Sequence, residues 1–150
     1  MSVLRLITKV AAPACVCFDL SRSIDLHVES MAASQERAVG GITSGLIGAG
    51  ERVTWEARHL GRRWRVTSRI TEFDPPRRFV DEMEDAGPFA FFRHEHLFEP
   101  VGDGTRMTDV VEFRTRCGPV ASLADLAAGA YLRRLMAMRN ATIRSRAEAP

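Results

Sequence analysis

The stretch ERVTWEARHLGRRWRVTSRITEFDPPRRFVDEMEDAGPFAFFRHEHLFEPVGDGTRMTDVVEFRTR, residues Glu51–Arg116, reads as a run of antiparallel strands. Val53, Trp55 and Ala57 alternate with Arg52, Thr54, Glu56 and Arg58, so one face of the first strand is apolar and the other charged. His59 falls on the apolar side. After a turn at His59-Leu60-Gly61, Trp64, Val66, Ser68 and Ile70 share one face against Arg63, Arg65, Thr67, Arg69 and Thr71. Asp74-Pro75-Pro76 stops this strand, because proline removes a ladder donor and restrains the residue before it. A third strand is predicted from about Arg78 to Asp85. Gly87-Pro88 introduces a fourth, with Phe92, His94, His96 and Phe98 on one face and Phe91, Arg93, Glu95 and Leu97 on the other. Gly102-Asp103-Gly104 has the composition of a hairpin turn. The last strand sets Met107, Asp109, Val111 and Phe113 opposite Arg106, Thr108, Val110, Glu112 and Arg114, leaving Asp109 as a charge among apolar neighbours.

Beyond Gly118-Pro119 the pattern changes period. Val120, Leu123, Ala127, Tyr131, Leu135, Met138 and Thr142 repeat at helical spacing and predict one long helix packed by that stripe. Arg133, Arg134, Arg139, Arg144 and Arg146 suit the negative pole at its end. Upstream of the strands, Val3 to Lys9 alternate as a first strand, and Pro13 is placed to open a short helix over Ala14 to Leu20. A second short helix is expected around Ile24 to Ser30, then a brief strand from Glu36 to Gly41. Gly40, Gly41, Gly45, Gly48 and Gly50 make the surrounding segment loop-like, and their spacing matches neither phosphate-binding fingerprint. The fold class expected is α+β: a sheet that curves around one long C-terminal helix and leaves a space between them.

The 150 residues suit one domain, 1–150, with no need of a disulfide. Lys and Arg number 21 against 19 Asp and Glu, and the interspersed signs lack the basic stripe of a nucleic-acid binder. Cys15, Cys17 and Cys117 do not have the paired spacing of a structural zinc site, and reduced thiols in a cytoplasm are the simpler account. Arg5 and Lys9 interrupt the apolar run before Ala12-Pro13-Ala14-Cys15, so a signal peptide is not expected, and no later apolar run approaches the roughly 20 residues of a membrane span.

The order of elements resembles the helix-grip fold of the START and Bet v 1-like (SRPBCC) superfamily. More narrowly, it is similar to the bacterial polyketide cyclase/dehydrase and lipid-transport group. The match is carried by Ala11-Ala12-Pro13, Asp74-Pro75-Pro76-Arg77-Arg78-Phe79, His94-Glu95-His96-Leu97-Phe98-Glu99-Pro100 and Gly104-Thr105-Arg106-Met107-Thr108-Asp109, and it covers nearly the whole chain. Ser23-Ile24-Asp25-Leu26-His27 is similar to a stretch of small members likened to cell-division inhibitors. The resemblance implies a ligand cavity; it does not choose among carriers, cyclases, co-chaperones and ring-hydroxylating oxygenase domains, since one fold hosts them all. The oxygenase branch would need a two-histidine, one-carboxylate iron site and an iron–sulfur partner, neither legible here.

His94, His96 and Asp109 are the candidate catalytic residues, because a carboxylate that reaches a histidine across the hairpin orients its tautomer and raises its basicity. The same pattern describes a structural histidine satisfied by a carboxylate. A zinc site wants a third protein ligand; His27 and His59 are the remaining histidines, nothing brings them near, and neither metal nor cofactor is expected. Trp55, His59, Trp64, Phe79, Met83, Phe92, Phe113 and Tyr131, with His94, His96 and Asp109, are expected to line a pocket for a flat or lipid-like molecule, or else to pack as core. Gly129 in the final helix suggests either a close approach by a ligand or strand or a tolerated surface glycine, which is the plainer alternative. The leading expectation is a cytoplasmic protein that binds a hydrophobic small molecule. A cyclase or dehydratase-like enzyme and an interaction module with a closed cavity are the alternatives, and oligomeric state is left open.

Overall fold

Alternation along 51–116 produces strands where the apolar residues recur at every second position. The computed structural model describes residues Met1–Pro150. Its elements are β1 (Ser2–Val10), α1 (Ala14–Ser21), α2 (Ile24–Ser30), β2 (Arg37–Gly41), β3 (Arg52–His59), β4 (Arg62–Asp74), β5 (Arg78–Asp85), β6 (Phe89–Val101), β7 (Gly104–Thr115) and α3 (Ala121–Ala147). The strands form one 7-stranded sheet in the order β1-β7-β6-β5-β4-β3-β2. Every neighbouring pair is antiparallel.

Successive hairpins explain most of this order. β6 and β7 pair from Phe89↔Thr115 to Val101↔Gly104, around the two-residue turn Gly102-Asp103, where Gly102 has φ +60°. Register shifts at Ala38/Gly40, Thr67/Ser68, Ile70/Glu72 and Phe89/Phe91 bend the strands on which they fall, and the sheet curves around α3. On the outer face, Glu56 receives Arg37, Arg63 and Arg65, and Glu72 receives Arg78 and Arg93. Such exposed pairs contribute little each, about 0–1 kcal/mol, so the inner face carries the stability.

That inner face packs in two separate clusters. Val10, Phe18, Phe79, Phe98, Met107 and Ile143 belong to the larger, beneath α1 and α2. Leu4, Phe92, Val111, Phe113, Leu132 and Met136 belong to the smaller, beneath the first half of α3. The glycine-rich segment after β2 is a loop, as its composition suggests, and it is pinned to the α1–α2 junction. Ile24 N donates to Gly45 O and Ile47 N to Arg22 O, which carries Ile47 into the larger cluster.

The helix stripe requires correction. Ala127, Tyr131 and Leu135 do border the interior, but Val120, Leu123 and Met138 are exposed, and Leu132, Met136, Arg139, Asn140 and Ile143 are the buried positions. The inward face is therefore rotated by about one residue. Three contacts set this phase: Asp125 accepts from Thr115 N and Oγ1 at 2.8 and 2.7 Å, Gly129 lies against Phe113, and Asn140 Nδ2 donates to Asp109 at 2.7 Å. Arg139 consequently lies in the interior, 3% exposed, instead of on the solvated pole.

Candidate functional site

Between the concave sheet and α3 lies a cavity of about 610 Å³. Its walls follow from strand periodicity: Trp55, Ala57 and His59 come from β3, Trp64, Val66, Ser68 and Ile70 from β4, and Phe79, Asp81 and Met83 from β5. Phe92, His94 and His96 of β6 complete the sheet side, and Tyr131, Leu132, Leu135, Met136 and Arg139 of α3 face them. Most of this surface is apolar.

One buried polar cluster interrupts it. Asp81 pairs in register with His94, and Asp109 with His96, yet each carboxylate reaches diagonally to the other histidine. His94 Nε2 lies 2.7 Å from Asp109 Oδ1, and His96 Nε2 lies 2.7 Å from Asp81 Oδ2. The rings stack in series, Phe79 on His96 at 4.0 Å and His96 on His94 at 3.7 Å, which holds both imidazoles upright on the strand. From α3, Arg139 Nη2 donates to Ser21 O at 3.1 Å and to His96 Nδ1 at 3.4 Å, while its Nη1 donates to Asn140 Oδ1 at 3.0 Å. Asn140 Nδ2 donates to Asp109 Oδ2 and Thr8 Oγ1. Ser68 Oγ donates to Asp81 Oδ1 at 3.1 Å.

These contacts decide the protonation pattern. Burial alone would raise the Asp109 carboxyl, but the hydrogen bond and charge of His94, with Arg139 and His96 behind them, hold it far below the usual carboxylate range. Asp81 is likewise raised by burial and then drawn down to about 2 by its bond to His96, the two imidazoles and Ser68. Burial first, then the neighbouring His94, pushes His96 down to about 4 against the pull of Asp81, so its ring is neutral at pH 7. Since a guanidinium only donates, His96 Nδ1 accepts from Arg139 and the ring hydrogen resides on Nε2. An ionised Asp109 only accepts, so His94 donates from Nε2.

Two further polar pairs sit at other points of the wall. His59 Nδ1 and the Tyr131 hydroxyl are 2.7 Å apart. His27 Nε2 lies 2.6 Å from Glu36 Oε1, with its ring 4.2 Å from that of Trp55.

The sequence-derived pocket residues are largely brought together. Trp55, His59, Trp64, Phe79, Met83, Phe92, His94, His96 and Tyr131 border the cavity. Asp109 and Phe113 do not. Asp109 stands behind the histidines, tied to His94 and Asn140, and Phe113 is only 2% exposed, its ring tip 3.4 Å from where a Cβ on Gly129 would lie. The close approach at Gly129 is thus made by β7, not by a ligand. Asp81 and Asn140 were not singled out from the sequence, and Arg139 was assigned to the helix pole instead of the site, although each had a signal. Asp81 alternates with Phe79 and Met83, and Arg139 and Asn140 fall in phase with Leu132, Met136 and Ile143. A polar residue on an otherwise buried face is the mark of a partnered interior group.

A curved antiparallel sheet gripping one long C-terminal helix over a ligand-sized cavity defines the helix-grip fold of the START and Bet v 1-like superfamily. The chain belongs to the polyketide cyclase/dehydrase and lipid transport family, whose sequence model matches residues 19–148. Among solved structures, it is similar to the ZhuI aromatase/cyclase from Streptomyces sp. R1128, with a TM-score of 0.79 at 16% identity over 98% of this chain and 93% of that one. A protein from Thermus thermophilus gives a TM-score of 0.76 at 16% identity, over 98% and 100% of the two chains. A START superfamily protein from Mycobacterium smegmatis gives 0.73 at 11% identity, over 97% of each. At these identities the likeness is one of fold. No curated protein matches the sequence.

Proposed function

We propose that this protein binds a hydrophobic small molecule, of lipid, polyketide or aromatic type, in the cavity between sheet and α3. The observation that carries the reading is a space of about 610 Å³ with mostly apolar walls and one buried polar cluster. That volume falls within the roughly 300–1,000 Å³ of small-molecule sites, where a few polar groups orient an otherwise apolar ligand. The ionised Asp81 presents an acceptor to the cavity, which suits a ligand end carrying a hydroxyl group. His59 and Tyr131 offer a second polar contact on another part of the wall. The free thiols of Cys15, Cys17 and Cys117 are consistent with a reducing cytoplasm, and no helix is long and apolar enough to cross a membrane.

Native mass spectrometry of freshly purified protein tests this proposal. The expected result is a reproducible extra mass, at one molecule per chain, that is released on denaturation and rebinds on titration. Failure of the protein to retain any molecule and to bind any of a panel of hydroxylated fatty acids and polycyclic phenols overturns it.

A second reading, catalysis of cyclisation or dehydration, is favoured by one feature: Asp109 holds His94 by Nε2 while the ring borders the cavity. This is the arrangement of a positioned general base. Under this reading, His94→Ala or Asp109→Asn abolishes turnover of a polyketide-like chain and leaves its binding largely intact. Unchanged turnover sinks it.

A further inference from the structure

The third ligand that the sequence failed to supply for a metal ion comes from β5. His94 and His96, two residues apart on one strand, project their imidazoles from the same face, and Asp81 stands opposite them on the neighbouring strand. One ligating atom from each of Asp81, His94 and His96 lies within 4.8 Å of the other two. We propose that these three residues bind a divalent first-row transition-metal ion on the cavity wall. The inference stands independently of what fills the cavity.

Four observations carry it. The first is the donor set: two imidazole nitrogens and one carboxylate oxygen are borderline donors suited to zinc and its neighbours in the first transition row, and three protein ligands leave a position open. All three residues border the cavity, so the open position is accessible from it.

The second is spacing. An ion with bonds of about 2.0–2.1 Å in tetrahedral geometry needs its ligand atoms about 3.3 Å apart. Asp81 Oδ2 is 2.7 Å from His96 Nε2 and 4.0 Å from His94 Nδ1. The first must widen and the second shorten, each by less than about 1 Å, and the two imidazole nitrogens, within 4.8 Å of one another, must close by up to about 1.5 Å.

The third is the orientation of His94. With Nε2 held by Asp109 at 2.7 Å, Nδ1 is the ring nitrogen turned toward Asp81, 4.0 Å from its Oδ2, and is the one placed to ligate an ion.

The fourth is the support behind the ligands. Asp109 Oδ1 accepts from His94 Nε2 at 2.7 Å and lies 3.5 Å from His96 Nδ1. When His96 Nε2 ligates the ion, its ring hydrogen moves to Nδ1, which gives up the 3.4 Å bond from Arg139 and takes Asp109 as its acceptor. A carboxylate holding the far nitrogen of a ligating histidine fixes its orientation and raises its basicity. Arg139 opposes the ion's charge, but it approaches His96 from the Nδ1 side, and Asp81 and Asp109 together outweigh one guanidinium.

Cobalt(II) is the probe, because its visible absorption reports both geometry and donor type. Wild-type protein stripped with EDTA and titrated with Co(II) is expected to take up one equivalent, retain it through desalting, and show d–d bands without the near-ultraviolet thiolate charge-transfer band. Asp81→Asn and His94→Gln are each expected to weaken uptake at least 100-fold, and Asp109→Asn 10–100-fold. Cys15→Ser/Cys117→Ser protein, which lacks the two exposed thiols, is expected to bind as wild type. Absence of stoichiometric uptake, a thiolate band, loss of uptake in the cysteine variant, or undiminished uptake by folded Asp81→Asn or His94→Gln protein overturns the proposal. The wild-type spectrum decides the matter even where a site variant fails to fold.

Discussion

His96 is neutral because it is inside, and that has a thermodynamic consequence. Its folded value of about 4 lies below the 6.5 of an unperturbed histidine. Between these values the unfolded chain holds a proton that the folded chain does not, so folding stability falls as pH drops from about 6.5 through about 4. A separation of that size corresponds to on the order of 3 kcal/mol, fully lost below the lower value. Asp81 extends the loss in the same direction: its stabilising contribution is present above the ordinary carboxyl value of 3.8 and disappears as pH falls through about 2. The groups facing His96, namely Asp81 from β5, His94 on its own strand, Asp109 from β7 and Arg139 from α3, carry the charges that enter this balance. In EDTA, the Tm of the wild-type protein is expected to decline between pH 7 and pH 4, and His96→Gln, which keeps polar contacts without titrating, is expected to flatten that decline. A Tm independent of pH over this interval, followed by calorimetry, would exclude a buried neutral His96.

At the scale of the element, strands and helix differ in how openly they display their inner face. β3, β4, β6 and β7 are apolar on one side and charged on the other, because one side is covered and the other meets water; a period of two then reveals the buried set. α3 gives a misleading signal. Its inner side carries Asp125, Ala128, Gly129, Arg139 and Asn140, whereas Val120, Leu123 and Met138 are exposed, so a stripe drawn through those apolar residues is out of phase. Small residues belong inside because β7 approaches closely, and polar ones because Asp109 and Thr115 need partners. Gly129 tests this account. Glycine within a helix costs about 1 kcal/mol relative to alanine. A Cβ there would meet Phe113 Cζ at 3.4 Å, an ordinary contact. Gly129→Ala is therefore expected to stabilise the protein by about 0.5–1 kcal/mol, and Gly129→Leu, whose further carbons run into the ring, to destabilise it. Denaturant titration distinguishes these outcomes; a loss of stability in the alanine variant would mean that β7 and α3 are packed too tightly to accept one carbon.

For the whole molecule, the open question was whether sheet and helix enclose a space or close upon each other. Periodicity located the two layers, but volume depends on rotamers and on the phase of α3, neither of which alternation encodes. The answer lies in the division of the core. Phe18, Phe79, Phe98 and Ile143 fill one region and Phe92, Phe113, Leu132 and Met136 another, while small residues on the remaining wall leave it unfilled. Ala57 is one of these, 7% exposed, lining the cavity on β3 between Trp55 and His59 and opposite Trp64 in register. A phenylalanine at this position has no route except into the cavity, where it gains apolar burial and takes the space of a ligand. Ala57→Phe is expected to weaken binding of anilinonaphthalene sulfonate, or of whatever hydrophobic molecule copurifies, at least 10-fold, while Tm stays level or rises by about 2–4 °C for each kcal/mol gained. Fluorescence titration and thermal unfolding measure the two effects together. Undiminished binding would place the ligand elsewhere, and a sharp fall in Tm would mean that this wall is closed by neighbours the cavity does not spare.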